Sequence, residues 1–175
     1  MLISVKWGVA DVSYIFHLTE KNFFRSKYLT KSPAQTKKVG TILAKRILNS
    51  HFQKEKAIIL GLEGDLGGGK TTFLQGFARG LEIRERILSP TFVLMKKLKI
   101  PAKTCGLKSR TFIHIDCYRV KNPREILALG FRKITSDPRN IIAVEWAERI
   151  SKILPKDTVW IKFTIIDKNA RRITF

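Results

Sequence analysis

Residues 64–72 read Gly-Asp-Leu-Gly-Gly-Gly-Lys-Thr-Thr, and no other stretch constrains the fold as much. The spacing is G-x-x-x-x-G-K-T, that of a loop that cradles phosphate. Its glycines let the backbone curl until successive N–H groups point inward as an anion nest. Lys70 adds a point charge for β- and γ-phosphates, and the Thr71 hydroxyl suits Mg²⁺. A glycine-rich turn can match this pattern by chance, but the flanks argue against it. Ala57-Ile58-Ile59-Leu60-Gly61-Leu62 is a short apolar run suited to a buried parallel strand. Behind the loop, Phe73, Leu74, Phe77, Ala78 and Leu81 recur at helical spacing, and Gly80 offers a stop. Strand, loop and helix are the context such a nest requires, with the helix N-terminus adding partial positive charge beneath the phosphates. Asp65, Leu66, Gly67, Gly68, Gly69, Lys70, Thr71 and Thr72 are therefore the candidate phosphate-binding residues.

Around this unit the chain alternates strand and helix signals. Residues 27–30 leave room for a short strand. Ser32-Pro33-Ala34-Gln35 supplies an N-cap, a proline at the first helical position and a capping-box glutamine. Val39, Ile42, Leu43, Ile47 and Leu48 carry that amphipathic helix to about Asn49. Ser89-Pro90 kinks a loop that leads into a strand, and 101–108 reads as a second loop. Residues 111–119 form a strand whose period of two puts His114, Asp116 and Tyr118 on one face and Ile113, Ile115 and Cys117 on the other. Asn122-Pro123-Arg124-Glu125 is a second capping box, opening a short helix that stops at Gly130. A solvated loop holding Asp137-Pro138 is expected next, then a buried strand over 141–145 that ends in Glu145. A helix over 146–154 ends before Pro155, and 159–166 and 171–175 read as two β segments joined by a turn. The predicted fold is α/β: a P-loop NTPase whose mainly parallel sheet is flanked by helices and closed by the C-terminal β segments. It occupies residues 27–175, and residues 1–26 carry no readable periodicity and form an N-terminal extension.

Composition bounds the setting. A hydrophobic fraction of 44% with 27% charged residues is globular. No apolar run reaches the length of a membrane span. The first residues, broken by Lys6 and Asp11, do not make a signal peptide. Two cysteines, Cys105 and Cys117, do not make a disulfide framework, which points to a reducing cytoplasm. Thirty-four Lys and Arg against fourteen Asp and Glu give +20, an excess that favours a polyanionic partner, nucleic acid above all. A general lysine bias explains the same number without a site. Only 95–110 forms a dense acid-free block, with Lys96, Lys97, Lys99, Lys103, Lys108 and Arg110.

In a parallel sheet of this kind ligands sit at the carboxyl ends of the strands. Three polar features fall there: the Lys70–Thr71 pair, Asp116 and Glu145. Phosphoryl chemistry on such a frame needs the nest, a Mg²⁺ site shared with Thr71, and a carboxylate for the metal or the water. Glu145, after four apolar residues, has the form of the metal-side strand end; Asp116 suits orienting water or an outer contact to the metal. From position alone the two roles are interchangeable, and a strand-end carboxylate also serves to cap the next helix. His114 with Asp116 gives two ligands, too few for zinc, so His114 reads as structural. Cys117 reads as a small buried residue. Arg119 suits a phosphate, RNA or a surface ion pair. Trp146 either lines the nucleotide pocket or belongs to the core.

Five motifs together carry a resemblance. Gly-Asp-Leu-Gly-Gly-Gly-Lys-Thr-Thr-Phe at 64–73, Ser-Pro-Thr-Phe at 89–92, His-Ile-Asp-Cys-Tyr-Arg at 114–119, Glu-Ile-Leu-Ala-Leu-Gly at 125–130 and Glu-Trp at 145–146 are similar in order and spacing to the bacterial TsaE (YjeE) family. Ser32, Thr36 and Gly40 in the leading helix match too, so the likeness covers about residues 28–175. It implies an ATPase of tRNA threonylcarbamoyladenosine (t6A) biosynthesis that is cytoplasmic and binds ATP and Mg²⁺. Its implied partners are the TsaB- and TsaD-type subunits that carry out threonylcarbamoyl transfer, and tRNA, met directly or through those subunits. By resemblance Glu145 is the magnesium ligand, with Thr71 beside it, and Asp116 is needed for hydrolysis. Lys70 completes the candidate catalytic set, and Thr36 and Trp146 join the nucleotide-contacting positions. Gly68 stands where alanine is usual and Cys117 where leucine is common, and Met95-Lys96-Lys97 replaces a more polar stretch. Residues 1–26 have no counterpart in the family. Two other classes fit a basic P-loop chain: a small-molecule kinase, which needs an arginine-bearing lid that this sequence lacks, and an RNA-binding module that keeps nucleotide as a structural ligand.

Overall fold

Seven strands, hydrogen-bonded in the order β1-β7-β6-β2-β5-β4-β3, make one sheet in the computed structural model, which describes residues 26–49, 55–90, 93–105 and 110–175. The strands are β1 (Lys27–Thr30), β2 (Ile58–Glu63), β3 (Met95–Ile100), β4 (Arg110–Asp116), β5 (Asn140–Glu145), β6 (Val159–Ile165) and β7 (Arg171–Thr174). The central four, β6, β2, β5 and β4, run parallel; β7, β1 and β3 pair antiparallel at the two sides. The predicted α/β architecture is the one observed. The expected extension lies outside the described residues except for Ser26, as do Thr91, Phe92 and Lys108 of the other expectations.

Alternation along the parallel strands sorts side chains onto two faces. Leu60, Leu62, Phe112, Ile141, Ala143, Ile161 and Phe163 meet helices α1 (Pro33–Asn49) and α2 (Lys70–Gly80) on one face. Ile59, Ile113, Ile115, Ile142 and Val144 face the other way, against α4 (Pro123–Ala128), α5 (Phe131–Ser136) and a 3₁₀ helix at Ala147–Ile153. Between β3 and β4 lies the one-turn α3 (Ala102–Cys105).

Local signals set the helix starts. The Gln35 amide donates to Ser32 Oγ at 3.3 Å, and the Gln35 side chain accepts from the Lys31 amide at 2.6 Å, one residue further out than a strict capping box. The box at Asn122 and Glu125 is complete. Three expectations need correction. The solvated loop expected after Gly130 opens with helix α5, because Gly130 turns the chain at φ 79° and Phe131 and Ile134 then bury on one side. The loop expected over 101–108 contains α3. The helix expected from Trp146 is a 3₁₀ helix entered from a left-handed Trp146 (φ 58°, ψ 41°) and kinked at Ile150.

β3 is the edge strand on one side of the sheet, and Lys96, Lys97 and Lys99 stand exposed along it. Charged side chains there discourage pairing with another chain's strand. Lys96 lies 3.9 Å from Glu85 and Lys103 lies 3.5 Å from Glu82, so acids from the preceding turn meet the block that is acid-free in sequence.

Helices α1 and α2 touch backbone to backbone. A Cβ on Gly76 would come within 1.9 Å of the Lys37 carbonyl oxygen, and one on Gly40 within 2.2 Å of that of Phe73. The Thr41 hydroxyl donates to the Gly76 carbonyl at 2.8 Å across the same contact. Gly76→Ala is expected to push the helices apart at a cost of about 1–3 kcal/mol, the range for overpacking a tight interior, as read from a denaturant melt. A melt unchanged from wild type contradicts this packing.

Candidate functional site

The parallel pairing of β2, β5 and β4 brings their carboxyl ends to one edge. Glu145 ends β5 opposite Leu62 of β2 and opposite Asp116, which ends β4. The loop after β2 curls there through positive φ at Gly64 (130°), Gly67 (76°) and Gly69 (98°), values that side chains resist. The Gly68 amide closes a turn on the Asp65 carbonyl at 3.0 Å. Gly69 caps α2 with no side-chain hydrogen bond, and the first amides of a helix have no partner inside it. The loop and helix end thus present N–H groups and the positive end of the helix dipole.

Lys70 is 5% exposed. Its ammonium donates to the carbonyls of Gly64 (2.5 Å) and Asp65 (3.0 Å) and lies 3.9 Å from the ring centre of Trp146. Burial holds its pKa below the usual lysine range, and the carboxylates of Glu145, Glu148 and Asp116 work against that shift. Tyr118 packs against Trp146 with ring centres 5.1 Å apart, and the Arg149 guanidinium sits 5.5 Å from the Trp146 ring.

Glu145, 3% exposed, is held from two sides. The Thr71 hydroxyl reaches its Oε2 at 2.7 Å and its Oε1 at 3.0 Å, and His114 Nε2 is 2.8 Å from Oε1. Asp116 is as buried: its Oδ1 accepts the Tyr118 amide at 2.8 Å, and its Oδ2 accepts the Ser89 hydroxyl.

These groups border a cleft of about 390 Å³, lined by residues 66–72 with Ser89, Asp116, Tyr118, Glu145 and Trp146. The sequence-predicted Leu66, Gly67, Gly68, Gly69, Lys70, Thr71, Thr72, Asp116, Glu145 and Trp146 therefore meet in one place. Asp65 stands exposed at the start of the loop and offers its carbonyl to Lys70. Thr36 lies behind the loop, 2% exposed, bonded to Thr30 Oγ1 at 2.8 Å, with its methyl 3.7 Å from where a Gly69 Cβ would stand. Sequence reasoning left Ser89 and Tyr118 out of the site. The signal for Tyr118 was its strand periodicity with Asp116; that for Ser89 was the Ser-Pro kink. Arg171, whose Nε donates to the Gly67 carbonyl at 3.0 Å, carried no local signal, since 104 residues separate the two.

The donor set fits a nucleotide with its magnesium. A Cβ at Gly64 would strike the Phe163 carbonyl at 2.3 Å and one at Gly68 the Asp65 carbonyl at 2.9 Å, so the curl is built of residues that can take it. Thr71 and Glu145 offer hard oxygens, and Mg²⁺ at phosphate sites takes one or two protein oxygens, the rest coming from phosphate and water. Among the described residues no group of three His, Cys, Asp or Glu side chains is placed to hold a metal.

A mixed α/β sheet whose four central strands run parallel, with a glycine loop between β2 and helix α2, defines a P-loop NTPase-type protein. The family model "Threonylcarbamoyl adenosine biosynthesis protein TsaE" matches residues 30–173, and the chain belongs to the TsaE family. The TsaE protein of Bacillus subtilis is 34% identical over 149 residues, 85% of this chain and 84% of its own. That of Haemophilus influenzae is 33% identical over 134 residues, 77% of this chain and 78% of its own. The crystal structure of Bacillus subtilis YdiB superposes with a TM-score of 0.62 at 28% identity, covering 85% of this chain and 82% of that one.

Cys117 follows Asp116 and points to the opposite face, fully buried. Burial, and after it the Asp116 carboxylate, push its thiol from 9.0 up to about 12. Only the thiolate is nucleophilic, so in a Cys105→Ser background alkylation at pH 8 is expected to be slow until denaturant is added. Folding holds the proton that an unfolded chain releases, so this group costs stability as pH rises above 9.0. Rapid labelling of the folded variant contradicts the burial.

Proposed function

We propose that this chain is the ATP-binding and ATP-hydrolysing component of the t6A machinery, acting in the cytoplasm with TsaB- and TsaD-type subunits and meeting tRNA directly or through them. The observation that carries the reading is the bond from Thr71 to both oxygens of Glu145, at 2.7 and 3.0 Å, beside an uncapped helix N-terminus. It favours Glu145 over Asp116 for the metal, since Asp116 is bonded instead to Ser89 and the Tyr118 amide.

The amides of Gly67 and of residues 69–72 bind the phosphates while that of Gly68 holds the turn, and Lys70 exchanges its bonds to the Gly64 and Asp65 carbonyls for phosphate oxygens. The face of the Trp146 ring lies against the ammonium while it does so. Thr71 and Glu145 would hold Mg²⁺, which when bound neutralises charge on the β- and γ-phosphate oxygens. Asp116, held by the Ser89 hydroxyl and the Tyr118 amide, orients the attacking water. The t6A role of the family supplies the destination of the hydrolysis: phosphate release alone, then with the partner subunits and tRNA, is the deciding measurement. Release that neither partners nor tRNA alter removes the t6A assignment. Transfer of phosphate to a small acceptor makes the chain a kinase.

Two substitutions test the site. Lys70→Ala deletes the buried ammonium of the nest; charge-assisted bonds contribute about 1.5–3 kcal/mol each, so ATP affinity by calorimetry is expected to fall about tenfold or more. Unchanged affinity removes the nucleotide site.

Thr71→Ala and Glu145→Ala are expected to weaken Mg²⁺-dependent binding far more than binding of the metal-free nucleotide. A magnesium titration run beside a thermal melt separates this from helix capping, which would lower the melting temperature and leave the magnesium dependence intact.

A further inference from the structure

We propose that His114 is a positioning residue: it holds Oε1 of Glu145 and thereby leaves Oε2 as the oxygen that meets the cation. The inference rests on the reading of Thr71 and Glu145 as the magnesium side of the site.

Sheet register makes the contact. His114 pairs with Ala143 across β4 and β5, and Asp116 pairs with Glu145. Ala143 projects only a methyl toward the ring, so the imidazole can lean along the strands to the carboxylate two residues on. Phe112 backs it, with ring centres 6.3 Å apart and planes 19° from parallel. His114 is fully buried, and the ring is wedged between Phe112 and Glu145.

The proton can be located by elimination. A carboxylate only accepts, so Nε2, 2.8 Å from Oε1, is the donor. Among the described residues the buried Nδ1 has no hydrogen-bond partner, which suits a bare nitrogen and leaves a single ring proton on Nε2. The bond fixes the rotation of the carboxyl group. Oε2 then accepts from Thr71 alone, at 2.7 Å, among the described residues. When the Thr71 hydroxyl turns its lone pair to a cation it releases Oε2, and that oxygen is the one left open beside it. Oε1 stays with His114 throughout. Partners of this kind behind a metal ligand restrict its orientation, and their loss weakens the metal without touching it.

The test is calorimetric ATP binding over a magnesium titration with the whole chain. His114→Phe keeps the ring shape and removes the donor; the magnesium needed for half-maximal enhancement is expected to rise about 10- to 100-fold while metal-free ATP binds within about twofold of wild type. His114→Gln, whose amide N–H reaches the place of Nε2, is expected to recover most of the loss. A Phe variant that melts lower but keeps the wild-type magnesium midpoint overturns the proposal and leaves the site reading standing. Wild-type binding with no magnesium dependence removes both. Should the Phe variant fail to fold, nitrogen-15 spectra of the wild-type imidazoles, assigned against His114→Gln, decide it: a proton on Nε2 with Nδ1 bare supports the proposal, and a proton on Nδ1 overturns it.

Discussion

Parallel hydrogen bonding among β2, β5 and β4 is the constraint on which the rest depends. It sets three strand ends level, and it does so through backbone groups that are indifferent to side-chain chemistry. Leu62, Glu145 and Asp116 are neighbours only because that ladder keeps its register. A slip of one residue would turn Glu145 and Asp116 to the opposite face and bring Val144 and Ile115 to the cleft. The apolar runs that fill both faces of the sheet therefore fix the chemistry as much as the polar residues do.

Within that frame the polar groups hold one another. Lys70, Glu145, Asp116 and His114 are nearly or fully buried, and buried ions are tolerated when each has bonds to spend its charge on. Lys70 rests on two carbonyls and an indole face, Glu145 on a hydroxyl and an imidazole, Asp116 on a hydroxyl and an amide. A site arranged this way is set before its ligand arrives, and a ligand needs only to exchange one set of partners for another.

Much of this was legible in the sequence, and the limits have physical causes. The phosphate loop and its flanking strand and helix are contiguous, so local spacing suffices to find them. Glu145 and Asp116 announce themselves as acids closing apolar strands. The contact of His114 with Glu145 depends on a register between segments 31 residues apart, which no local pattern encodes. Helix α5 escaped because its apolar signal is two residues, Phe131 and Ile134, too little to set a period. The 3₁₀ helix after Trp146 follows from a left-handed backbone at a bulky residue, a conformation that tertiary packing imposes and propensity opposes.

Among the described residues β1 joins the sheet through β7, with Lys27 facing Thr174, and the chain passes straight from β1 into α1, the helix pressed against the phosphate-loop helix through Gly40 and Gly76. Residues 27–30 and 171–174 are thus a single joint, made between segments far apart in sequence. Closing a loop of that length is entropically costly before any contact rewards it. The edge from which α1 enters the domain is therefore held to the sheet by a strand far away in sequence, and the backing of the glycine loop depends on that distant pairing as well as on the loop's own residues.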